Sequence, residues 1–224
     1  MSNNVLLSFL AIDFVFAGTG GMLIAAAIIS MNGKNGTPIN SDVASTLLLS
    51  QIPAIGALIN AVFIFLTFAI SLLGAFNSKD RLILRIHSWI VIFCAAFTLI
   101  LGLDIWISTL KTRSNLSNLW NTQTAAEQSL LQQRFNCCGY WNSTSPPYVN
   151  DNVCPNDAAA ALLGGCVSGF SSFANGFLDL VFTGGFGIVA VDAILFLSTI
   201  VVLKDRAEKE RYRLIDEKGG YEGI

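Results

Sequence analysis

Apolar and polar residues fall into long blocks along this chain. Four apolar runs stand out, roughly Val5–Met31, Ile52–Phe76, His87–Leu110 and Phe177–Leu203. Each exceeds the ~20 residues that a helix needs to cross ~30 Å of hydrocarbon. A short polar stretch, 32–51, separates the first two, and ten residues, "NSKDRLILRI", join the second to the third. Before the fourth lies a 66-residue segment, 111–176, that is polar, dotted with aromatics and bears four cysteines. The pattern predicts an all-α membrane protein. Transmembrane helices one to three fall within 1–110, a large loop spans 111–176, helix four spans 177–203 and a tail covers 204–224. The first run is read as a span and not as a secretory leader. "AAA" at 25–27 offers a cleavage-like site, yet no basic residue precedes the run, and a leader core has only ~7–15 residues.

Charge adds an orientation. Only 12% of the 224 residues are charged, against about 25% in soluble domains. Net charge is −2 with no basic stripe, so no nucleic-acid partner is expected. The basic residues are placed unevenly. Lys79, Arg81 and Arg85 in the 77–86 loop, with Lys204, Arg206, Lys209, Arg211, Arg213 and Lys218 in the tail, make nine of thirteen. The positive-inside rule makes that side the cytosol. Both termini are then cytosolic, 32–51 is a small outer loop, 77–86 is a cytosolic loop and 111–176 is a large extracellular loop. The expected location is the plasma membrane or an endosomal membrane. Asn35, Asn115 and Asn142, each in an N-x-[ST] sequon, fall on the outer side, as glycosylation requires. Trp89 and Trp106 lie about 25 Å apart along a helix, which puts one ring near each interface.

Polar residues interrupt every span: Asp13, Asn60, Asp104 and Asp192 in helices one to four. An Asp near a helix centre costs ~2.5–3.5 kcal/mol on the insertion scale, and each Leu, Ile, Val or Phe returns ~0.3–0.6. Helix one holds thirteen such apolar residues and helix four seventeen, so insertion tolerates the acids. They are expected to face the bundle and to hydrogen-bond between helices. A proton or ion path is the weaker reading, because no Arg or Lys lies in any core as counter-ion. Asp104, beside Trp106 near the outer end, is expected to be wetted. "GTGG" at 18–21, Gly56-Ala57 with Ala61, and Gly184, Gly185 and Gly187 suggest close helix approach. "GFGIVA" at 185–190 matches a dinucleotide fingerprint in spacing alone, since no strand precedes it and it lies in a span. His87 is the only histidine, and no metalloprotease, Walker or nucleophile-elbow motif occurs. No enzymatic activity, cofactor or metal site is expected.

The cysteines divide as Cys94 in helix three and Cys137, Cys138, Cys154 and Cys166 in the large loop. Neighbouring cysteines have Cα atoms about 3.8 Å apart, short of the ~4.4–6.8 Å of a relaxed disulfide. Of three pairings, two remain, and both tie the doublet to Cys154 and Cys166. "TAAE" at 124–127 fits a capping box with Thr124 as N-cap, which predicts a helix over Ala125–Phe135 ending just before the doublet. Gly139 supplies a turn beyond it. The ties are read as structural staples that hold a display surface, roughly 140–165. Tyr140, Trp141 and Tyr148 are its candidate contact anchors, unless they pack inward.

Four spans, a short first loop, a large second loop and an outer "CCG" resemble the tetraspanin family over the whole chain. The resemblance implies the pairing Cys137–Cys166 and Cys138–Cys154. The chain departs from the family pattern where Cys154 sits in "DNVC" in place of a preceding Pro-x-Ser, and where aspartates stand in the membrane for asparagine or glutamate. It has no juxtamembrane cysteine for lipidation, and Cys94, about 10 Å into helix three, is read as buried. More narrowly, "CCGYWNSTSPPYVNDNVC", "SSFANGFLDLVFTGGFGI" and "KDRAEKERYRLIDEK" are similar to the fungal tetraspanins of appressorium-mediated host penetration. That likeness implies a non-enzymatic organiser that focuses growth and a membrane NADPH-oxidase complex at the penetration site.

In the tail, Asp205 and Lys209 at i,i+4 suggest that helix four extends beyond the membrane. "YRLI", Tyr212 to Ile215, and the di-leucine-like Leu214-Ile215 fit sorting signals, which need an extended peptide. The favoured function is a scaffold that binds other integral membrane proteins. The alternative is a small transporter, or a lipid- or sterol-binding protein with a cavity lined by Asp13, Asn60 and Asp192.

Overall fold

The computed structural model describes residues 3–35, 43–76 and 81–219, with 3, 33–35, 108–110 and 218–219 described by backbone alone. Lys79 and the side chains of Asn35 and Lys218 lie outside the described residues. The helices are α1 (Asn3–Asn35), α2 (Val43–Ser50), α3 (Ala54–Phe76), α4 (Arg81–Leu110), α5 (Thr112–Thr122), α6 (Ala125–Phe135), α7 (Asp157–Leu163) and α8 (Val167–Gly219). Four of them, α1, α3, α4 and α8, are long and apolar enough to cross a membrane. The chain forms two compact units, one from 1–25, 55–101 and 185–224, the other from 26–54 and 102–184.

In the first unit, buried positions recur at steps of three and four residues. They are Phe9, Asp13, Phe16 and Gly20 on α1, and Ala57, Asn60, Ile64, Thr67, Ser71 and Ala75 on α3. On α4 they are Leu84, His87, Val91, Cys94 and Thr98, and on α8 Asp192, Leu195, Thr199, Val202 and Arg206. Alternating steps of three and four keep one seam facing the neighbouring helices, as in heptad packing. Elsewhere the helices are apolar and open. Leu7, Leu73, Trp89 and Leu197 are 69, 64, 69 and 60% exposed, which suits a hydrocarbon solvent and not water. Of "GTGG", Gly20 alone sits against a neighbour: a Cβ there would lie 2.9 Å from Ile64, whereas Gly18 and Gly21 meet open space. Gly184 and Gly187 also meet open space, so the expected close approach does not occur at them.

The second unit has its own core, built around Trp120, Leu131, Tyr140 and Phe170, with Val43, Ala44, Leu47 and Leu48 of α2. The 32–51 stretch is thus more than a polar link. Its "TLLL" run closes the core, and α2 packs on α6. α6 carries the complete capping box, Thr124 accepting from the Glu127 N–H and Glu127 accepting from the Thr124 N–H. α8 begins at Val167, ten residues ahead of the apolar run that starts at Phe177. "VSGFSSFANG" is poor in helix formers and in hydropathy. It is helical because Phe170 and Ala174 fill the core directly after Cys166, a tertiary override of propensity.

A tight backbone crossing closes this unit. The N–H of Cys138 donates to Gly164 O at 2.8 Å, that of Cys166 to Gly139 O at 2.9 Å, and that of Val167 to Tyr140 O at 2.9 Å. A Cβ on Gly165 would lie 2.6 Å from the Tyr140 carbonyl oxygen and nearer still to that of Trp141. Gly165→Ala should therefore destabilise this unit by about 1–3 kcal/mol, the range for overpacking. Limited proteolysis of the detergent-solubilised full chain against temperature reads it. An unshifted cleavage midpoint would show that the crossing is looser than drawn.

Candidate functional site

The candidate site is the surface between the cysteine doublet and α8. α6 stops because Asn136 takes a left-handed conformation, φ 50° and ψ 57°, and its N–H returns to Gln132 O. Disulfides then join Cys137 to Cys166 and Cys138 to Cys154, with Cα separations of 5.0 and 5.9 Å. The doublet so gathers the start of α8 and the turn before α7 onto the end of α6. Gly139 follows at φ 72°, and a Cβ there would lie 2.9 Å from Pro146 O. Only glycine fits that position without strain. Closing the shorter ring, 16 residues in separation, contributes about 3 kcal/mol in the chain-entropy model.

A polar node reinforces the covalent one. Gln132 is fully buried on α6. Its Nε2 donates to Val149 O at 2.8 Å and to Asp151 Oδ2 at 2.9 Å. Its Oε1 accepts from the N–H groups of Gly139 and Val149 at 3.2 and 3.0 Å. Asp151 accepts from Ser129 Oγ through Oδ2, and from the N–H groups of Val153 and Cys154 through Oδ1. Every carboxylate oxygen is thus doubly bonded by donors. Burial pushes the Asp151 carboxyl up, but the Cys154 N–H, Gln132, Ser129 and the Val153 N–H outweigh it and hold it below its ordinary 3.8. Sequence reading passed over both residues. "DNVC" is the one local sign, an Asp two and three residues before the N–H groups it accepts.

The node and the disulfides leave a defined outer face. Trp141 is 47% exposed and Leu162, on α7, is 87% exposed. Asn156 caps α7 by accepting from the Ala159 N–H at 2.9 Å. Tyr148 is half-buried and donates to Asp157 at 2.8 Å. Tyr140, in contrast, is no surface anchor. It is fully buried against Trp120 and donates to Arg113 O at 2.7 Å, and burial pushes its hydroxyl up to about 12. Between Phe135 and Leu178 there is no Lys or Arg, and Asp151 and Asp157 are the only acids. Asn142 is exposed, and its Oδ1 accepts both the N–H and the hydroxyl of Thr144 at 2.9 Å. Asn115 is exposed on α5.

The polar residues of the first unit make short side-chain contacts along the seam. Ser71 donates to Asp13 at 2.6 Å, and Asn60 donates to Thr98 at 2.7 Å. Thr67 meets the buried Cys94 at 3.7 Å, and His87 meets Thr199 at 3.5 Å. Asp192 is buried, with no hydrogen-bond partner for either carboxylate oxygen among the described residues. Asp104 is exposed. No group of His, Cys, Asp and Glu among the described residues has the clustering of a metal site. In the tail, Arg206 donates to Ala75 O at 3.2 Å, Arg81 pairs with Glu210, and Lys209 pairs with Asp205 at 2.8 Å. Tyr212, Leu214 and Ile215 are about half exposed, within helical α8. That is not the extended form a sorting receptor reads.

Comparison with protein-family models, with curated proteins and with solved structures found no match.

Because Asp151 titrates below its ordinary value in the folded chain, its stabilising contribution is present above about pH 4 and is lost as pH falls through the lowered value. The second unit should therefore lose stability as pH falls below about 4, read as earlier proteolysis of the full chain. Asp151→Asn should start less stable at pH 7 and show a flatter acid decline. Equal slopes for both proteins would remove Asp151 from this role.

Proposed function

We propose that the chain is a non-enzymatic, multi-pass membrane scaffold of the tetraspanin type, whose partners are other integral membrane proteins. The observation that carries this reading is that Trp141 and Leu162 stay exposed in a nearly uncharged segment fastened by two disulfides and the Gln132–Asp151 node. An irregular segment fixed this firmly presents side chains at little ordering cost, which favours recognition. The basic bias of 77–86 and the tail supports cytosolic termini in a plasma or endosomal membrane, with 111–176 outside, where disulfides persist. The likeness of the "CCGYWNSTSPPYVNDNVC" segment to fungal penetration tetraspanins extends the proposal to polarised growth or host penetration, with an NADPH-oxidase complex among the partners.

One observation favours a second reading. Asp192 is a buried carboxyl without a hydrogen-bond partner among the described residues, as a proton or ion carrier would need. Asp13, Asn60 and His87 are each hydrogen-bonded to a Ser or Thr of another helix, as interhelical bonding in a scaffold also requires. Asp13→Asn with Asp192→Asn separates the two, since transport loses its proton-coupled flux in liposomes and a scaffold keeps its partners.

Co-purification from native membranes in mild detergent tests the main reading. A few near-stoichiometric membrane proteins should accompany the wild type. Trp141→Ala with Leu162→Ser should reduce their recovery about tenfold or more, the effect of losing a hot spot worth roughly 2 kcal/mol. Cys138→Ser should do the same by unfastening the face. Partners retained in both variants would move recognition to the helices or the tail.

A further inference from the structure

α3 and α4 leave an open groove of about 480 Å³ on the first unit, lined by Phe63, Leu66, Ile70, Ile86, Trp89, Ile90 and Phe93. Every lining residue is apolar, and both helices are long and apolar enough to lie in a membrane. Ile70 and Ile86 mark one end. The edge-to-face pair of Phe63 and Phe93, centroids 5.4 Å apart, marks the other. The stretch from Ile86 to Phe93 covers two helical turns, about 10 Å. That is too short to seat a partner helix, which would lie along the whole ~30 Å of hydrocarbon. It suits one flexible hydrocarbon chain.

The open end has a cation. Arg85 precedes Ile86 and stands one turn from Trp89 at i,i+4, on the same side of α4. Its side chain is exposed, and it makes no ion pair with any described residue, whereas Arg81 is engaged by Glu210. Trp89, 69% exposed, lines the groove itself, and its amphipathic indole suits a membrane interface. A positive charge thus stands at the end of an apolar slot, Arg85 to Phe93 covering little more than two turns. That arrangement matches a phosphate head group followed by an acyl chain.

We infer that the α3–α4 groove holds one acyl chain of an anionic glycerophospholipid, whose phosphate head group is bound by Arg85. The site differs from a lipid cavity at Asp13, Asn60 and Asp192, because those residues are buried in the seam and none lines the groove. It requires the helices to lie in lipid but not the scaffold reading, so either one stands without the other.

Native mass spectrometry of the full chain, released from nanodiscs containing phosphatidylserine and phosphatidylcholine, tests it. The wild type should retain one phosphatidylserine in preference to phosphatidylcholine. Arg85→Gln should lower that preference about fivefold, the value of one basic residue near an anionic lipid surface, and Arg85→Lys should keep most of it. Leu66→Trp, which fills the groove from its exposed edge, should abolish retention of both lipids, with an unchanged thermal unfolding midpoint of the detergent-solubilised full chain as the check that the helices still pack. Phosphatidylserine retained on Leu66→Trp would overturn the location. Equal retention of the two lipids by the wild type would overturn the role of Arg85. Absence of any retained lipid would overturn the site.

Discussion

Because Cys137 and Cys138 are consecutive, two covalent ties must leave one point of the chain toward two different segments. The local backbone then has very little freedom. α6 has to end abruptly, which Asn136 achieves in the left-handed region. The chain has to turn again at once, which Gly139 achieves at φ 72°. The segment that brings Cys166 back has to approach closely enough for three backbone hydrogen bonds, which Gly165 permits. Remove the adjacency of the cysteines and none of these residues needs its particular identity. With it in place, Tyr140 is drawn into the core, Trp141 is left outside, and α8 starts ten residues before its apolar run.

The seam of the first unit answers a different constraint. Helices in hydrocarbon gain nothing by hiding apolar surface from lipid, so close packing and hydrogen bonds have to hold them. Ser71 to Asp13 and Asn60 to Thr98 supply such bonds, spread along the seam and not gathered into one site. Lipid as solvent would leave the outer faces free to be apolar, as they are. A groove such as that between α3 and α4 is therefore inexpensive to keep open in lipid, where in water it would invite aggregation.

The four membrane-length helices were legible because hydropathy over ~20 residues is a local signal. The α6 start was legible for the same reason: Thr124 and Glu127 are three residues apart and need no tertiary partner. The inner face of the bundle was not visible as hydrophobic periodicity, since both faces of each helix are apolar. Its sign is the reverse one, polar residues at heptad-like steps, as in Asn60, Thr67 and Ser71 or Asp192, Thr199 and Arg206. α2 escaped because eight residues carry too little periodicity, and the first turns of α8 because Phe170 and Ala174 act only through the core they enter. The Gln132–Asp151 bond joins residues 19 apart, and nothing local to Gln132 announces it. The long-range disulfides were legible because cysteines mark themselves, and their pairing is the one the resemblance implied; the long-range hydrogen bonds carry no such mark.

On the proposed reading, the exposed Trp141 and Leu162 lie outside the membrane and meet partner membrane proteins. Site-specific photo-crosslinking in intact cells tests this, with the crosslinking side chain at Leu162 and, as a control on the same unit, at exposed Ala126. Discrete, reproducible adducts to one or a few membrane proteins are expected from position 162 and none of them from position 126. Matching adducts from both positions, or none from 162 in cells where crosslinks within the chain still form, would contradict it.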